Sequence, residues 1–216
     1  MDHFHKLVEG FHNFKQEYFL KERQYFESLE KEQNPRTMVI ACCDSRVDPA
    51  ILLHCKPGEL FVIRNVAALI PAIDEVSNPC SVMSAIEYGV KHLNVEHIVI
   101  MGHAKCGGIH GLMDPRSICE EVYIQDWVEI ASPALERLKE ISQKADEKER
   151  SRLCEEGSVL VSLDNLLSYP WILDRVVDGS LRLHALYYDL AEGNLYRYSP
   201  EEEDFKLLFH SEHNHK

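Results

Sequence analysis

Two short stretches of the sequence hold residue types that bind transition metals. Cys42 lies in Cys-Cys-Asp-Ser-Arg, and His103 and Cys106 lie in Gly-His-Ala-Lys-Cys-Gly-Gly. Zinc binds thiolate and imidazole ligands in a tetrahedron, and catalytic zinc sites keep one of the four positions open. The three residues therefore predict one Zn²⁺ per chain with an open fourth position. The alternative is that both thiols are buried as small apolar side chains and that His103 caps a helix.

Two charged residues follow Cys42 and could assist such a metal. Asp44 and Arg46 alternate along an extended backbone, so both side chains can face one side. An arginine partner lowers the pKa of a carboxyl group and fixes its orientation. From the residues alone, Asp44 could accept a hydrogen bond from a hydroxide on zinc, become the fourth ligand, or form a structural ion pair only. Cys43 must point the other way, and we interpret it as a core residue.

Each stretch directly follows an apolar segment that predicts a buried strand. Residues 38–41 and 96–101 are mainly apolar and partly β-branched, which is typical of strands covered on both faces. In open α/β sheets, ligands bind beyond the carboxyl ends of the strands. If the two strands are neighbours, the two polar stretches meet at one edge of the sheet.

The remaining pattern predicts an α/β protein in which a central, mainly parallel β-sheet is flanked by helices. We assign residues 1–35 to an extended N-terminal helical arm, 36–209 to the zinc-binding catalytic domain and 210–216 to a disordered tail. Apolar residues recur at helical spacing in the arm, and this face could cover a second subunit or pack on the chain's own core. A turn at residues 192–194 predicts a C-terminal antiparallel hairpin.

Further helices are predicted from the spacing of apolar residues. We expect a helix over residues 77–93, with apolar residues on one side, and a helix over residues 159–167. Residues 114–157 have an irregular and polar pattern that still favours helices, with Trp127 and Ile130 as the anchors in the core. We assign no function to this region from its sequence.

The composition predicts a single cytoplasmic domain. The chain has 216 residues, of which 45% are hydrophobic, and this is enough for one sizeable core. A formal net charge of −13 argues against nucleic acid or an anionic membrane surface as a partner. The cysteine count is seven, which is odd, and the N-terminus does not have the pattern of a secretory signal, so we expect a reducing cytosol. We expect no membrane span.

The two metal-binding stretches together resemble the β-class carbonic anhydrases, whose motifs are C-x-D-S-R and G-H-x-x-C-G-[AG]. The resemblance continues through residues 57–67 and 85–90 and covers roughly residues 33–190. It implies reversible hydration of carbon dioxide to bicarbonate and a proton. It also implies a homodimer, or a multiple of dimers, whose N-terminal helices wrap the partner subunit.

The resemblance also implies roles for individual residues. Asp44, held by Arg46, would accept a hydrogen bond from the attacking hydroxide. The amide of Gln33 would bind a substrate oxygen, and the backbone N–H of Gly107 would help to orient bicarbonate. His92 would carry the proton to buffer, unless it is only a surface histidine of a helix. The apolar substrate pocket, which in this family is completed by the adjacent subunit, would be lined by Phe61, Val66 and Tyr88.

One departure from the family pattern bears on the fourth zinc position. Some bacterial relatives have a Trp, Arg, Tyr cluster that binds bicarbonate and switches the aspartate onto zinc. Here Arg64 is present, but Val39 stands at the Trp position. We therefore favour the plant-type subgroup, with an open zinc site in which Asp44 stays paired to Arg46.

Three other functions are alternatives to this one. Carbonyl sulfide and carbon disulfide hydrolases resemble the family down to the zinc ligands, so the motifs do not separate them from carbonic anhydrases. A non-catalytic module that binds zinc or bicarbonate is disfavoured by the intact Asp44–Arg46 pair and by Gln33. Nucleotide binding is set aside, because residues 102–111 match neither the dinucleotide-binding fingerprint nor a P-loop.

Overall fold

The structure is a computed structural model that describes residues 2–76, 79–141 and 145–208, with side chains for all of these except 139–141. The chain divides into two compact units, Met1–Asn34 and Pro35–Lys216. The tail predicted at residues 210–216 lies outside the described residues.

The N-terminal unit consists of two helices joined by a π-helical turn. α1 spans His3–Asn13, the turn spans Phe14–Phe19 and α2 spans Arg23–Lys31. Phe26 of α2 packs against several aromatic rings of the turn, with ring centroids 4.8 Å from Phe19 and 5.8 Å from Phe14. The helices predicted for this part of the chain are confirmed. Large apolar side chains on α1 are nevertheless exposed, among them Phe4, Leu7 and Phe11.

The second unit is built on a six-stranded sheet with the order β2-β1-β3-β4-β5-β6. The first four strands in this order are parallel, and β5 and β6 continue the sheet in antiparallel pairing. This confirms the predicted mainly parallel sheet with a C-terminal hairpin, and β6 is a strand that the sequence pattern did not reveal. The strands are β1 Thr37–Cys42, β2 Leu60–Asn65, β3 His97–His103, β4 Arg182–Asp189, β5 Asn194–Ser199 and β6 Asp204–Leu207.

Helices connect the strands and cover the sheet. Within the described residues, no helix is long and apolar enough to cross a membrane. The helices are α3 Pro49–Leu52, α4 Ser81–Lys91, α5 Gly107–Met113, α6 Val122–Val128, α7 Ser132–Ile141, α8 Glu147–Leu167 and α9 Pro170–Val177.

Two predicted helix boundaries were wrong. The helix expected from residue 77 begins at Ser81, after a non-helical residue 80 in extended conformation. The helix expected from residue 159 is the second half of the continuous helix α8, which passes through Gly157. A Cβ atom on Gly157 would lie 3.0 Å from the Cβ of Ala134, so the glycine permits close packing of α8 on α7 rather than ending the helix.

The buried strands β1 and β3 position the residues at their carboxyl ends. Met38 and Ile40 face the larger core cluster, whereas Val39 and Ala41 face a second cluster on the opposite side of the sheet. All four side chains have no exposed surface. β1 lies between β2 and β3, so the two predicted metal-binding stretches leave the sheet side by side.

Candidate metal centre

The three predicted metal ligands converge at the carboxyl ends of β1 and β3. Cys42 is the last residue of β1, His103 is the last residue of β3, and Cys106 immediately precedes α5. Their ligand atoms all lie within 4.8 Å of one another, and all three residues are buried. Two thiols and one imidazole at this separation form a donor set that suits zinc and leaves one tetrahedral position open.

The orientation of His103 is fixed by its other ring nitrogen. Nδ1 lies 2.9 Å from the backbone carbonyl of Ala104, which can only accept a hydrogen bond, so Nδ1 carries the proton. In the neutral imidazole, Nε2 is then an unprotonated acceptor. It is buried, and within the described part of the chain it has no hydrogen-bond partner. Leaving such an acceptor unpaired costs about 1–3 kcal/mol, and a metal ion is the group that this arrangement fits.

The two thiols are too close together to ionise independently. The pKa of Cys42 is lowered, first by a hydrogen bond from the Cys106 thiol and also by the backbone N–H groups of Asp44 and Ala67, although burial opposes this. The pKa of Cys106 is raised, because the neighbouring Cys42 sulfur and burial both disfavour a second negative charge. A divalent metal between the two sulfurs would stabilise both thiolates.

Asp44 and Arg46 form a bidentate ion pair beside the ligands. Arg46 donates from Nε to Oδ1 at 2.9 Å and from Nη2 to Oδ2 at 2.6 Å, and its backbone N–H donates to Oδ1. The pKa of Asp44 is held well below its usual range, chiefly by these hydrogen bonds from Arg46. Arg46 Nη2 also lies 3.2 Å from the carbonyl oxygen of Lys105, which joins the two stretches. The carboxylate is therefore ionised and held in one orientation.

A family model described as carbonic anhydrase matches residues 37–195. Beta carbonic anhydrase 3 of Arabidopsis thaliana is 37% identical over 196 residues, which are 89% of this chain and 76% of that protein. The chain belongs to the β-class carbonic anhydrases.

Solved structures agree with this family. The β-carbonic anhydrase CcaA superposes with a TM-score of 0.91 at 30% identity, covering 97% of this chain and 93% of the other. One of two tetrameric β-carbonic anhydrases of the ascomycete Sordaria macrospora superposes with a TM-score of 0.76 at 28% identity, covering 90% and 95%. The predicted family and fold class are thus confirmed.

In this carbonic anhydrase, Arg64 binds the backbone of the loop that carries Asp44. Its guanidinium donates to the carbonyl oxygens of Cys42 at 3.0 Å and Asp44 at 2.7 Å, and to the Asp48 carboxylate at 3.2 Å. The sequence had pointed to Arg64 only as part of an incomplete bicarbonate cluster. Arg64 lies near the carboxyl end of β2, the strand next to β1, and this position could have indicated its contact with the Asp44 loop. Val39 is fully buried in the sheet.

The segment after β2 supports Cys42 in a way that the sequence did not indicate. The backbone N–H of Ala67 donates to Cys42 Sγ at 3.4 Å. Ala67 and Ala68 have φ values of 63° and 56°, a left-handed conformation that is unfavourable for alanine. Trp127, predicted as an anchor, is partly buried and donates from Nε1 to the carbonyl of Val66 at 2.8 Å. Nothing in the sequence of two alanines signals such a conformation.

The residues predicted for the substrate side lie in several places. Phe61 of β2, Tyr88 of α4 and His92 directly after α4 form one aromatic group. The ring centroids of Phe61 and Tyr88 lie 6.1 Å apart, and those of Tyr88 and His92 lie 5.3 Å apart. Gly107 is the first residue of α5. Gln33 is an exposed residue of the N-terminal unit, and its role stays a prediction.

The interpretation of Cys43 as a core residue was wrong, because its side chain is exposed. β1 ends at Cys42, and the backbone N–H of Cys43 donates to the carbonyl of Asn65 at 2.8 Å as the chain leaves the sheet. Alternation along a strand predicts which face of the sheet a side chain lies on. It predicts burial only where helices cover that face.

Proposed function

We propose that this carbonic anhydrase catalyses the zinc-dependent reversible hydration of carbon dioxide to bicarbonate and a proton. The observation that carries the proposal is the buried, unpartnered Nε2 of His103 facing two thiols within 4.8 Å. Cys42, His103 and Cys106 would hold one zinc ion per chain. Zinc with three protein ligands acts as a Lewis acid and makes water nucleophilic near neutral pH.

Asp44 would orient the nucleophile as a hydrogen-bond acceptor. Arg46 engages both carboxylate oxygens, and the lowered pKa of Asp44 keeps the group ionised at neutral pH. An ionised carboxylate cannot donate a proton, so it accepts one hydrogen bond and thereby sets the direction of the nucleophile's lone pair. We propose that Asp44 remains bound to Arg46 and leaves the fourth zinc position open, as in the plant-type subgroup.

The substrate would lie against apolar groups that this chain supplies only in part. Val66 is held in place by Trp127, whereas Tyr88 is 44% exposed. We propose that a second subunit covers Tyr88 and Phe61, and that Gln33 and the N–H of Gly107 bind substrate oxygens. The tetrameric Sordaria relatives and the exposed apolar side chains of α1 support a homodimer or a multiple of dimers. A cytoplasmic location stays a prediction.

The proton released by the reaction must reach the solvent. His92 is exposed and stacks on Tyr88 with ring centroids 5.3 Å apart, so its imidazole borders both the proposed pocket and the bulk water. Histidine changes its charge near neutral pH, which suits a group that accepts a proton and passes it to buffer. We propose His92 as this proton carrier.

The decisive experiment combines stopped-flow carbon dioxide hydration with a measurement of zinc on the same sample. The wild type should contain about one zinc per chain and hydrate carbon dioxide rapidly. Cys106→Ala should lose both the zinc and the activity, because one of three protein ligands is removed. Cys154→Ala is the matched control, since Cys154 is another buried thiol, fully unexposed and outside the ligand group, and it should retain both.

Two other results would change the proposal. A wild type that contains zinc but does not hydrate carbon dioxide would overturn the proposed reaction, and carbonyl sulfide and carbon disulfide would then be tested as substrates. A wild type that neither retains zinc nor accepts any of these substrates would overturn the metal site as well. The intact Asp44–Arg46 pair argues against a non-catalytic module.

A further inference from the structure

The long helix α8 places a buried glutamate against the turn that carries a metal ligand. Glu155 is only 5% exposed. Its Oε1 accepts a hydrogen bond from the backbone N–H of Cys106 at 3.2 Å, and its Oε2 accepts one from the hydroxyl of Tyr187 at 2.7 Å. The two carboxylate oxygens thus connect three separate elements, namely α8, β4 and the turn before α5.

The burial of a carboxylate at this position is unfavourable compared with the burial of an apolar side chain. Burying a charged group is costly unless hydrogen bonds compensate for the lost water. The neighbours of Glu155 on the inner side of α8 include Cys154 and Val159, which are buried and apolar. The two donors that Glu155 does find come from outside its own helix, so its effect is to connect elements rather than to stabilise α8.

The peptide group between Lys105 and Cys106 forms hydrogen bonds through both its C=O and its N–H. Lys105 contributes the carbonyl oxygen that accepts from Arg46 at 3.2 Å, and Cys106 contributes the N–H that donates to Glu155. These two atoms belong to the same peptide plane. Lys105 has a φ of 57°, a left-handed conformation that a lysine adopts only when its surroundings impose it. Fixing this plane fixes the direction in which the Cys106 side chain leaves the backbone.

The adjacent residue provides a comparison within the same helix. Glu156 is also a glutamate and is also buried, at 8% exposed. It pairs with Arg152 of its own helix at 2.8 Å, and no hydrogen bond of the described residues joins it to the turn at Cys106. The two glutamates therefore match in residue type, helix and burial, but only Glu155 contacts a metal ligand.

We propose that Glu155 is a positioning residue of the metal centre, which aims the Cys106 thiolate at the metal by holding the 105–106 peptide plane against Arg46. Tyr187 in turn holds Glu155. The inference rests on the proposed zinc site and adds a second requirement to it. Groups that orient metal ligands in this way change metal affinity by about 10–100-fold when they are removed.

The test compares two conservative substitutions by competition for zinc with a chromophoric chelator. Glu155→Gln keeps the shape of the side chain but leaves one oxygen acceptor where there were two, and it should weaken zinc binding about 10–100-fold. Glu156→Gln should bind zinc within about twofold of the wild type. In cobalt-substituted protein, the thiolate-to-cobalt absorption should shift in Glu155→Gln and stay unchanged in Glu156→Gln, which a general loss of stability would not produce.

Several outcomes would overturn the inference. Equal zinc affinity and equal cobalt spectra in wild type and Glu155→Gln would do so while leaving the proposed function intact, and so would an equal loss in both glutamate variants. A wild type without zinc would overturn the proposed function first. If Glu155→Gln does not fold, Tyr187→Phe decides, because it removes only the hydroxyl that holds Glu155. Weaker zinc binding in Tyr187→Phe would support the inference, and unchanged binding would overturn it.

Discussion

The metal side and the substrate side of this carbonic anhydrase are held by different forces. On the metal side, charged and polar groups fix the backbone through hydrogen bonds, with Arg64 and Arg46 donating to carbonyl oxygens of the two ligand-bearing stretches. On the substrate side, the side chains of Phe61, Tyr88 and His92 meet through ring contacts, and Tyr88 is 44% exposed. The difference teaches that a single chain brings together all three candidate metal ligands, whereas the aromatic group of the proposed pocket is left partly exposed in that chain.

The sharpest test of the metal side is Asp44→Asn. The amide has the size of the carboxylate but presents one acceptor and one donor, so it cannot keep both hydrogen bonds from Arg46. We expect kcat/KM for carbon dioxide to fall by about 100-fold or more, with zinc content unchanged because Asp44 is not among the ligands. Asp114→Asn is the matched control, since Asp114 and Arg116 form an ion pair of the same spacing at 3.0 Å on the surface. Lost zinc in Asp44→Asn would contradict the open site.

The same variant should have a characteristic dependence on pH. Because the folded-state pKa of Asp44 is lowered, its ion pair contributes stability at every pH above the unfolded value of about 3.9. This contribution is lost as the pH falls from there through the folded pKa. The difference in free energy of unfolding between wild type and Asp44→Asn should therefore be constant from about pH 5 to pH 8 and shrink below about pH 4. Urea titrations across this range measure it.

Arg64→Ala should have the next largest effect. The substitution leaves the carbonyl oxygens of Cys42 and Asp44 without their charged donor, and we expect the free energy of unfolding to fall by about 2 kcal/mol. Activity should fall less than in Asp44→Asn, because the carboxylate keeps its bonds to Arg46. Arg116→Ala is the reference variant, because the side chain of Arg116 is 92% exposed. Chemical denaturation and steady-state kinetics are measured on both variants. A loss of activity larger than that of Asp44→Asn would show that Arg64 acts on the reaction itself.

The smallest effect is expected on the substrate side, from His92→Ala. If His92 carries protons to buffer, kcat should fall by less than tenfold in dilute buffer and recover in concentrated imidazole, with kcat/KM unchanged. His110→Ala provides the comparison, since His110 is another exposed histidine, on α5. A loss that added imidazole does not restore would make His92 a packing residue for Tyr88. A buffer-dependent loss in His110→Ala instead would move the proton path to α5.

The sequence predicted the residues of the metal centre better than it predicted their supports. Cys42, His103 and Cys106 could be found because ligand types at the ends of apolar segments are rare and chemically specific. Glu155 could not, because a glutamate in a polar helical stretch has the sequence pattern of a solvent-exposed residue. Its burial is decided by how α8 packs on β3 and β4, which single-sequence spacing does not encode.

The wrong predictions have local physical causes. Cys43 was placed in the core because alternation was extended one residue past the end of β1. The helix expected from residue 159 begins earlier, because Gly157 lies inside α8, where the absence of a side chain permits close packing on Ala134. In both cases the tertiary contact, and not the intrinsic preference of the residue, decides the conformation.

The parallel pairing of β1 with β3 also has a consequence for folding, because it brings together ligands that are far apart in the sequence. Cys42 lies on one of these strands and His103 on the other, and β2 and α4 separate them along the chain. The entropy of closing this long loop opposes the meeting of the three ligands in the unfolded chain. A zinc ion at the proposed site would therefore stabilise the folded sheet, so metal uptake would report on completed folding.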